Sequence, residues 1–168
     1  MTSTLDNQPV TIPVRLDIDT LAAPFSRALA SLDAATTRVL DSAGFERPLR
    51  ELVRIRASQL NGCAYCVDMH TADALTGGES VRRLAAVAVW QESAAFTARE
   101  RAALAFTESV TLAAATHVPN DAFAAVHAEF TDDELAALLS LIVTINAWNT
   151  VGVAARPWPV DYGEIPAS

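Results

Sequence analysis

Signals that begin and end helices recur along most of this 168-residue chain, and they constrain its fold strongly. Two capping boxes, in which a threonine precedes a glutamate by three residues, occupy 97–100 and 131–134. Other prolines suit the first turn of a helix, where no backbone N–H is needed. These prolines are Pro24, Pro48 and Pro119. Glycines follow several of the segments that these residues begin, as expected at helix ends.

Apolar residues between these signals follow helical spacing, which predicts an all-α fold. The predicted helices span 21–43, 48–60, 63–76, 79–90, 97–115, 119–130 and 131–153. Residues 1–19 are predicted to form an extended arm, because Pro9 and Pro13 punctuate a short alternating pattern. Residues 156–168 are predicted to form an extended, proline-containing tail. Between them, 20–155 is predicted to be a single helical domain, because it contains no repeat and no internal linker.

The composition predicts a homo-oligomer that binds neither nucleic acid nor membranes. Hydrophobic residues make up 51% and charged residues 19% of the chain, and an apolar excess of this kind favours self-association. The net charge of −8 argues against nucleic acids and anionic membrane surfaces. We find no uninterrupted apolar run of about 18 residues and no secretory signal, so we expect a cytoplasmic protein. All basic residues are arginine, which excludes lysine-based Schiff-base chemistry.

The two cysteines of the chain, Cys63 and Cys66, stand three residues apart, and His70 follows four residues later. On a helix these positions share one face, so two sulfurs and an imidazole would converge. Asn61 and Gly62 form a turn signal just before them. We therefore expect Cys63 at a helix N-terminus, where the unpaired N–H groups lower the pKa of a thiol. The pattern favours a redox dithiol with an adjacent base and no cofactor.

The same cysteines also suit other kinds of site, which the neighbouring residues exclude or leave open. A c-type haem site requires a histidine directly after the second cysteine, where this chain has Val67. A zinc site remains open, with Glu51 as a fourth ligand beside the cysteines and His70. A further open alternative is that both cysteines are buried structural residues, which act only as small hydrophobic side chains. A thioredoxin-like site is excluded, because the residues before Cys63 follow helical rather than strand spacing.

A resemblance to a known family becomes specific at these residues. The run from Glu51 to His70 resembles the core motif of the AhpD-like alkylhydroperoxidases, within the carboxymuconolactone decarboxylase superfamily. That motif is a glutamate, eleven residues, C-x-x-C, three residues and a histidine, and here it is supplied by Glu51, Cys63, Cys66 and His70. Residues 100–108 and 145–149 are similar to later segments of the family. The decarboxylase branch of the superfamily lacks the cysteine pair, which places this chain on the redox side.

The resemblance implies an all-helical fold, a trimer or hexamer, and reduction of hydroperoxides with electrons from a dithiol donor. By this analogy Cys66 attacks the peroxide, Cys63 resolves the intermediate, and Glu51 and His70 relay protons. The characterised branch of the family has a second histidine directly before the second cysteine, whereas this chain has Tyr65. The alternative function is a non-catalytic helical oligomer whose cysteines sense oxidation or bind zinc.

Further residues are candidates for the lining of the site. Ser58 lies seven residues after Glu51 and so shares its helix face. Asn146 and Asn149 continue an apolar stripe of the last helix, and buried amides require hydrogen-bond partners. We expect these residues to line either the site or an oligomer interface.

Overall fold

Helices make up most of the chain in a computed structural model that describes residues 10–160. The α-helices of this part are α1 (Ile18–Leu21), α2 (Ala23–Ser42), α3 (Arg47–Asn61), α4 (Ala64–Thr76), α5 (Val81–Ala86), α6 (Ala98–Thr111), α7 (Ala113–Thr116), α8 (Asn120–His127) and α9 (Asp132–Ala155). A 3₁₀ segment, Val87–Glu92, follows α5. No strand occurs between residues 10 and 160, so the all-α prediction is confirmed.

Helix boundaries differ from the predicted ones where the backbone leaves helical angles. The helix predicted over 21–43 is interrupted at Ala22, with φ −127° and ψ 42°, and α1 before it begins inside the predicted arm. The helix predicted over 79–90 divides into α5 and the 3₁₀ segment, which contains a kink at Val89. The helix predicted over 97–115 divides into α6 and α7. Residues 1–9 of the arm and 161–168 of the tail lie outside the described residues.

Both predicted capping boxes are confirmed, and they begin the two helices that carry much of the core. In each, the threonine hydroxyl accepts a hydrogen bond from the glutamate N–H, and the glutamate carboxylate accepts one from the threonine N–H. These reciprocal bonds satisfy donors that the first turn of a helix leaves unpaired. They therefore fix where α6 and α9 begin.

α9 is the central helix of the described domain and packs against α2, α3, α4, α6 and α8. Its buried residues join a large apolar core, whose fully buried side chains include Phe45, Leu52, Leu104, Leu138 and Ile142. A second, smaller cluster lies between α3, α4 and α9. It consists of Ala57, Cys63, Cys66 and Ile145, with Tyr65 and Trp148 packed against it. The cysteines are thus held among three packed helices.

By length and composition alone, α9 could also cross a membrane, since an 18-residue window of it has a mean hydropathy of 1.5. The polar side chains along it are, however, bonded within the protein. Thr144 shares a 2.7 Å hydrogen bond with Thr36 of α2, and Asn149 bonds to α3. The side of α9 that joins the core accounts for part of its apolar composition, and 39% of this window is buried inside the protein.

A buried arginine fixes the start of α3, which carries Glu51 near its N-terminus. Arg50 Nη1 donates to Asp41 Oδ1 at 2.7 Å. Arg50 Nε and Nη2 both donate to the carbonyl oxygen of Phe45, at 3.0 and 2.6 Å. Because its donors are paired, a guanidinium that is 7% exposed is tolerated here, and it ties α3 to the end of α2.

Candidate active site

The turn between α3 and α4 places Cys63 at a helix N-terminus. Gly62 ends α3 in the left-handed conformation, with φ 72° and ψ 29°, which favours glycine because it has no Cβ. The Cys63 N–H then donates to the Ser58 carbonyl at 3.0 Å. Cys63 is the N-cap of α4, and its Sγ accepts a hydrogen bond from the Cys66 N–H at 3.4 Å. The predicted position of this sulfur against free helix N–H groups is confirmed.

Cys63 and Cys66 form a disulfide with a Cα–Cα distance of 5.4 Å. Both residues are only 2% exposed. Cys66 lines a cavity, while Cys63 faces α9 at Gly152. A Cβ built on Gly152 would lie 2.7 Å from the Cys63 Sγ, so the absence of a side chain there allows α9 to pack directly on the disulfide.

Glu51 and His70 are brought together beside Cys66, although they lie nineteen positions apart in the sequence. His70 Nδ1 lies 3.0 Å from Glu51 Oε2, and the other carboxylate oxygen accepts a 2.5 Å hydrogen bond from Arg54 Nη1. An ionised Glu51 can only accept, which makes Nδ1 the protonated ring nitrogen and leaves Nε2 with a free lone pair. His70 is on α4, one turn after Cys66.

The environment of Glu51 favours its charged form. Burial raises the pKa of Glu51, but the hydrogen bond from His70 and the positive charge of Arg54 outweigh that effect. The net pKa of Glu51 is therefore lowered from the ordinary glutamate value. The ionised carboxylate accepts the hydrogen bond from His70 Nδ1 and so orients the imidazole ring.

The structure also bears on the zinc alternative. Within residues 10–160, Glu51, His70 and Asp73 form a group whose possible ligand atoms lie within 4.8 Å of one another. The cysteine sulfurs are bonded to each other and so are not available as ligands in this form. A site built from Cys63 and Cys66 would require reduction of the disulfide first.

A cavity of about 320 Å³ opens next to Cys66. It is lined by residues of α2, α3, α4 and α9 and by one residue of the tail: Asp33, Arg54, Tyr65, Cys66, Met69, His70, Asp73, Leu141, Ile145, Trp148 and Trp158. Of the predicted lining residues, Tyr65 lies here. The walls of the cavity are mostly apolar and aromatic, with a few charged groups, as is typical of small-molecule sites.

Ser58, Asn146 and Asn149 instead belong to a hydrogen-bonded chain behind the cysteines. Asn149 Nδ2 donates to Ser58 Oγ at 2.9 Å. Asn61 Nδ2 donates to Asn149 Oδ1 at 3.0 Å and to Asn146 Oδ1 at 2.7 Å. Asn149 and Ser58 are fully buried, and their pairing ties α9 to the end of α3, directly before the cysteine turn.

Sequence reasoning missed Trp158 and Gly152. Trp158 lies between Pro157 and Pro159 in a segment predicted only as an extended tail. Its sequence offers no helical periodicity from which a contact with α4 could be inferred. Gly152 carried a usable signal, since a glycine inside a strongly apolar helix often marks a close approach of another group.

A sequence model of the carboxymuconolactone decarboxylase family matches residues 23–109 of this chain. The chain belongs to this family. The matched residues include the run from Glu51 to His70 and the second predicted family segment, 100–108. The cysteine pair makes it an AhpD-like member, as the sequence motif predicted.

Relatives agree with this assignment. The YdfG protein of Bacillus subtilis (strain 168), which is itself uncharacterized, is 38% identical over 108 residues, or 64% of this chain and 74% of that protein. A crystal structure of a protein of unknown function from Agrobacterium tumefaciens, provisionally described as an antioxidant defence protein AhpD, has a TM-score of 0.81. It is 34% identical, and the similarity covers 89% of this chain and 100% of that one.

More distant structures share the fold. An uncharacterized peroxidase-related protein from Ralstonia eutropha JMP134, with an alkylhydroperoxidase AhpD core, has a TM-score of 0.71 at 26% identity. The similarity covers 84% of this chain and 75% of that one. The debrominase Bmp8 has a TM-score of 0.67 at 18% identity, covering 82% of this chain and 72% of that one. The latter similarity concerns the fold alone.

Proposed function

We propose that this protein is a thiol-dependent peroxidase that reduces hydroperoxides with the Cys63–Cys66 pair. The observation that carries the proposal is the position of Cys66. It belongs to a disulfide, lines the cavity, and stands one helical turn from His70, which is hydrogen-bonded to an ionised Glu51. A nucleophile, a base and a group that orients the base are thus arranged in order beside a cavity for substrate.

In the first step, His70 Nε2 accepts the proton of the Cys66 thiol. The thiolate attacks the terminal oxygen of a hydroperoxide ROOH, the O–O bond breaks, and Cys66 becomes a sulfenic acid. The departing RO⁻ takes the proton from His70 and leaves as the alcohol ROH. Glu51 stabilises the imidazolium that exists between these two proton transfers.

In the second step, the Cys63 thiolate attacks the Cys66 sulfur and hydroxide leaves as water after protonation. The product is the disulfide present in the structure. One hydroperoxide and two thiols are thereby converted into one alcohol, one water and one disulfide.

In the third step, a dithiol donor restores the thiols. Its thiolate attacks Cys66, the sulfur that lines the cavity, and expels the Cys63 thiolate. The leaving thiolate is stabilised by the N–H of Cys66 at the N-terminus of α4, and a more stable thiolate leaves faster. The second donor thiol then releases the donor as its own disulfide.

Tyr65 stands where the characterised branch has a second relay histidine. In this chain, proton transfer to and from Cys66 therefore depends on His70 and Glu51 alone. Tyr65 contributes an aromatic wall to the cavity instead. The proposal also includes a homo-oligomeric assembly, a trimer or a hexamer, and a cytoplasmic location in which thioredoxin- or glutathione-linked systems keep thiols reduced.

The test is consumption of an organic hydroperoxide by purified protein, with a panel of dithiol donors as reductants. We expect turnover with at least one donor. Cys66→Ser should abolish it, and Cys63→Ser should leave one attack per subunit and a trapped sulfenic acid or mixed disulfide at Cys66. A protein that consumes no peroxide with any donor, but whose reduced form binds zinc tightly, would support the non-catalytic alternative.

A further inference from the structure

A tryptophan of the tail forms the aromatic centre of the cavity wall. The Trp158 ring lies 5.3 Å from the Tyr65 ring and 5.6 Å from the Trp148 ring, measured between centroids. It therefore joins an aromatic ring of α4 to one of α9. All three rings line the cavity that contains Cys66 and His70. Trp158 lies outside residues 23–109, which the family model matches.

The position of Trp158 is fixed by contacts that join the arm and α1 to the tail and to the end of α9. Its Nε1 donates to Asp19 Oδ2 of α1 at 2.8 Å. The backbone N–H groups of Arg15 and Leu16 both donate to the carbonyl of Ala155, at 2.9 and 3.0 Å. Pro157 and Pro159, on either side of Trp158, restrict its backbone further. The ring is thus held in place before a ligand enters, which lowers the entropic cost of binding.

The remaining walls define which ligands fit. Met69, Leu141 and Ile145 add apolar surface. Asp33 and Asp73 also line the cavity, whereas Arg54 is already paired with Glu51, and this balance of charge disfavours an anionic ligand. A volume of about 320 Å³ admits one aromatic ring with a short substituent.

On the basis of the proposed function, we infer that Trp158 is a specificity-determining residue, and that the preferred substrate is a neutral hydroperoxide carrying an aromatic ring. The ring of the substrate packs against Trp158 and its aromatic neighbours, and its –OOH group faces Cys66 and His70. The reaction follows the steps given above: the two thiols give two electrons to the hydroperoxide, and the products are the aryl-substituted alcohol, water and the disulfide. Stacked and edge-to-face contacts between aromatic rings provide selectivity beyond simple burial of apolar area.

The test is equilibrium binding of 2-phenyl-2-propanol, the alcohol formed from cumene hydroperoxide, to the disulfide form of the full chain. NMR titration measures it, and tert-butanol is the probe without a ring. We expect the aryl alcohol to bind the wild type more tightly, and Trp158→Ala to weaken its binding about tenfold while changing tert-butanol binding about twofold or less. Trp158→Phe should bind the aryl alcohol more tightly than Trp158→Leu does. The affinity of Asp19→Asn for this alcohol should lie between those of the wild type and Trp158→Ala.

These outcomes separate the inference from the proposed function, because binding of an alcohol requires no catalysis. If the Trp158→Phe and Trp158→Leu variants are both folded by circular dichroism and bind the aryl alcohol equally, the inference that an aromatic ring at position 158 selects the ligand is wrong. A wild type that binds the two alcohols equally would also overturn this inference. If the aryl alcohol binds in this order but the reduced protein consumes no hydroperoxide, the specificity assignment of the cavity stands and the proposed peroxidase function is wrong.

Discussion

At the scale of single residues, the chemistry of the site depends on the hydrogen bond between Glu51 and His70. These side chains come from different helices, and Arg54 holds the far oxygen of the carboxylate. With Nδ1 bonded to Glu51, His70 presents Nε2 for proton exchange. Because Glu51 and His70 act as one hydrogen-bonded pair, the loss of either residue removes the catalytic contribution of both.

Glu51→Gln and His70→Ala should each slow hydroperoxide reduction by about 10²-fold or more, a typical contribution of general acid–base catalysis. The glutamine is neutral and removes the charged acceptor of the His70 hydrogen bond, and the alanine removes the base. Steady-state rates at saturating dithiol donor measure both effects. His127→Ala is the matched control, because His127 lies exposed on α8 and bonds to Asp132. Wild-type rates in both site variants would show that no relay operates.

The lowered pKa of Glu51 also predicts how stability depends on pH. A carboxyl whose pKa is depressed by folding stabilises the folded state above its ordinary value of about 4, and this contribution is lost as the pH falls through the folded-state pKa. We therefore expect the wild type to lose more stability than Glu51→Gln between pH 6 and pH 3. Urea unfolding at several pH values measures the difference. Parallel pH curves for the two proteins would contradict this explanation.

At the scale of elements, α9 packs on the disulfide at Gly152, where there is no room for a side chain. Gly152→Ala should normally stabilise a helix by about 1 kcal/mol. Here the added Cβ would approach the Cys63 Sγ to 2.7 Å, and a disulfide sulfur cannot rotate away. We expect the disulfide form of Gly152→Ala to be less stable than the wild type by about 1–3 kcal/mol.

The reduced protein provides the control for this substitution, because a free Cys63 thiol can move to another rotamer. The penalty of Gly152→Ala should therefore be smaller after reduction. Denaturant unfolding with and without reductant measures both values. An oxidised Gly152→Ala protein as stable as the wild type would show that α9 does not pack on the disulfide in this way.

Helix signals in the sequence were sufficient for the all-α fold and for the position of Cys63, because capping boxes, Gly62 and apolar spacing act locally. That Glu51 and His70 would meet was implied only by the resemblance to the family motif, because the register within α3 and α4 does not fix how the two helices pack against each other. The sequence was insufficient where contacts between distant segments determine the position of a residue. The position of Trp158 in the cavity depends on hydrogen bonds that join the arm and α1 to the tail and to the end of α9, and no local pattern encodes these long-range contacts.

The asparagines of α9 illustrate the same limit. Their place on an apolar stripe indicated that they needed partners, but it did not identify those partners. In the structure Asn149 bonds to Ser58 and Asn61, so it stabilises the helix pair behind the cysteines. The spacing alone was equally compatible with a cavity wall and with an oligomer interface.

At the scale of the whole molecule, apolar side chains on the surface of α2 predict self-association. Phe25, Leu32 and Val39 stand seven residues apart and are 52%, 42% and 42% exposed. This spacing places them on one face of the helix. We expect light scattering at micromolar concentration to give a multiple of the 17.9 kDa chain mass, and the double variant Leu32→Glu/Val39→Glu to dissociate.

The control for this experiment is Ser31→Glu, which adds a charge at an exposed position next to the stripe on α2. It should assemble as the wild type does. Circular dichroism of the double variant should show that the subunit remains helical. A wild-type protein that is monomeric at these concentrations would refute the prediction of a homo-oligomer.

The most direct test of the proposed function is a single turnover of the fully reduced protein. One equivalent of cumene hydroperoxide is added without any donor, and free thiols, alcohol product and disulfide connectivity are then determined by thiol titration, chromatography and mass spectrometry. We predict the loss of both thiols of each chain, one equivalent of 2-phenyl-2-propanol, and an intramolecular Cys63–Cys66 disulfide. Thiols that survive the peroxide, or that form only intermolecular bridges, would contradict the account.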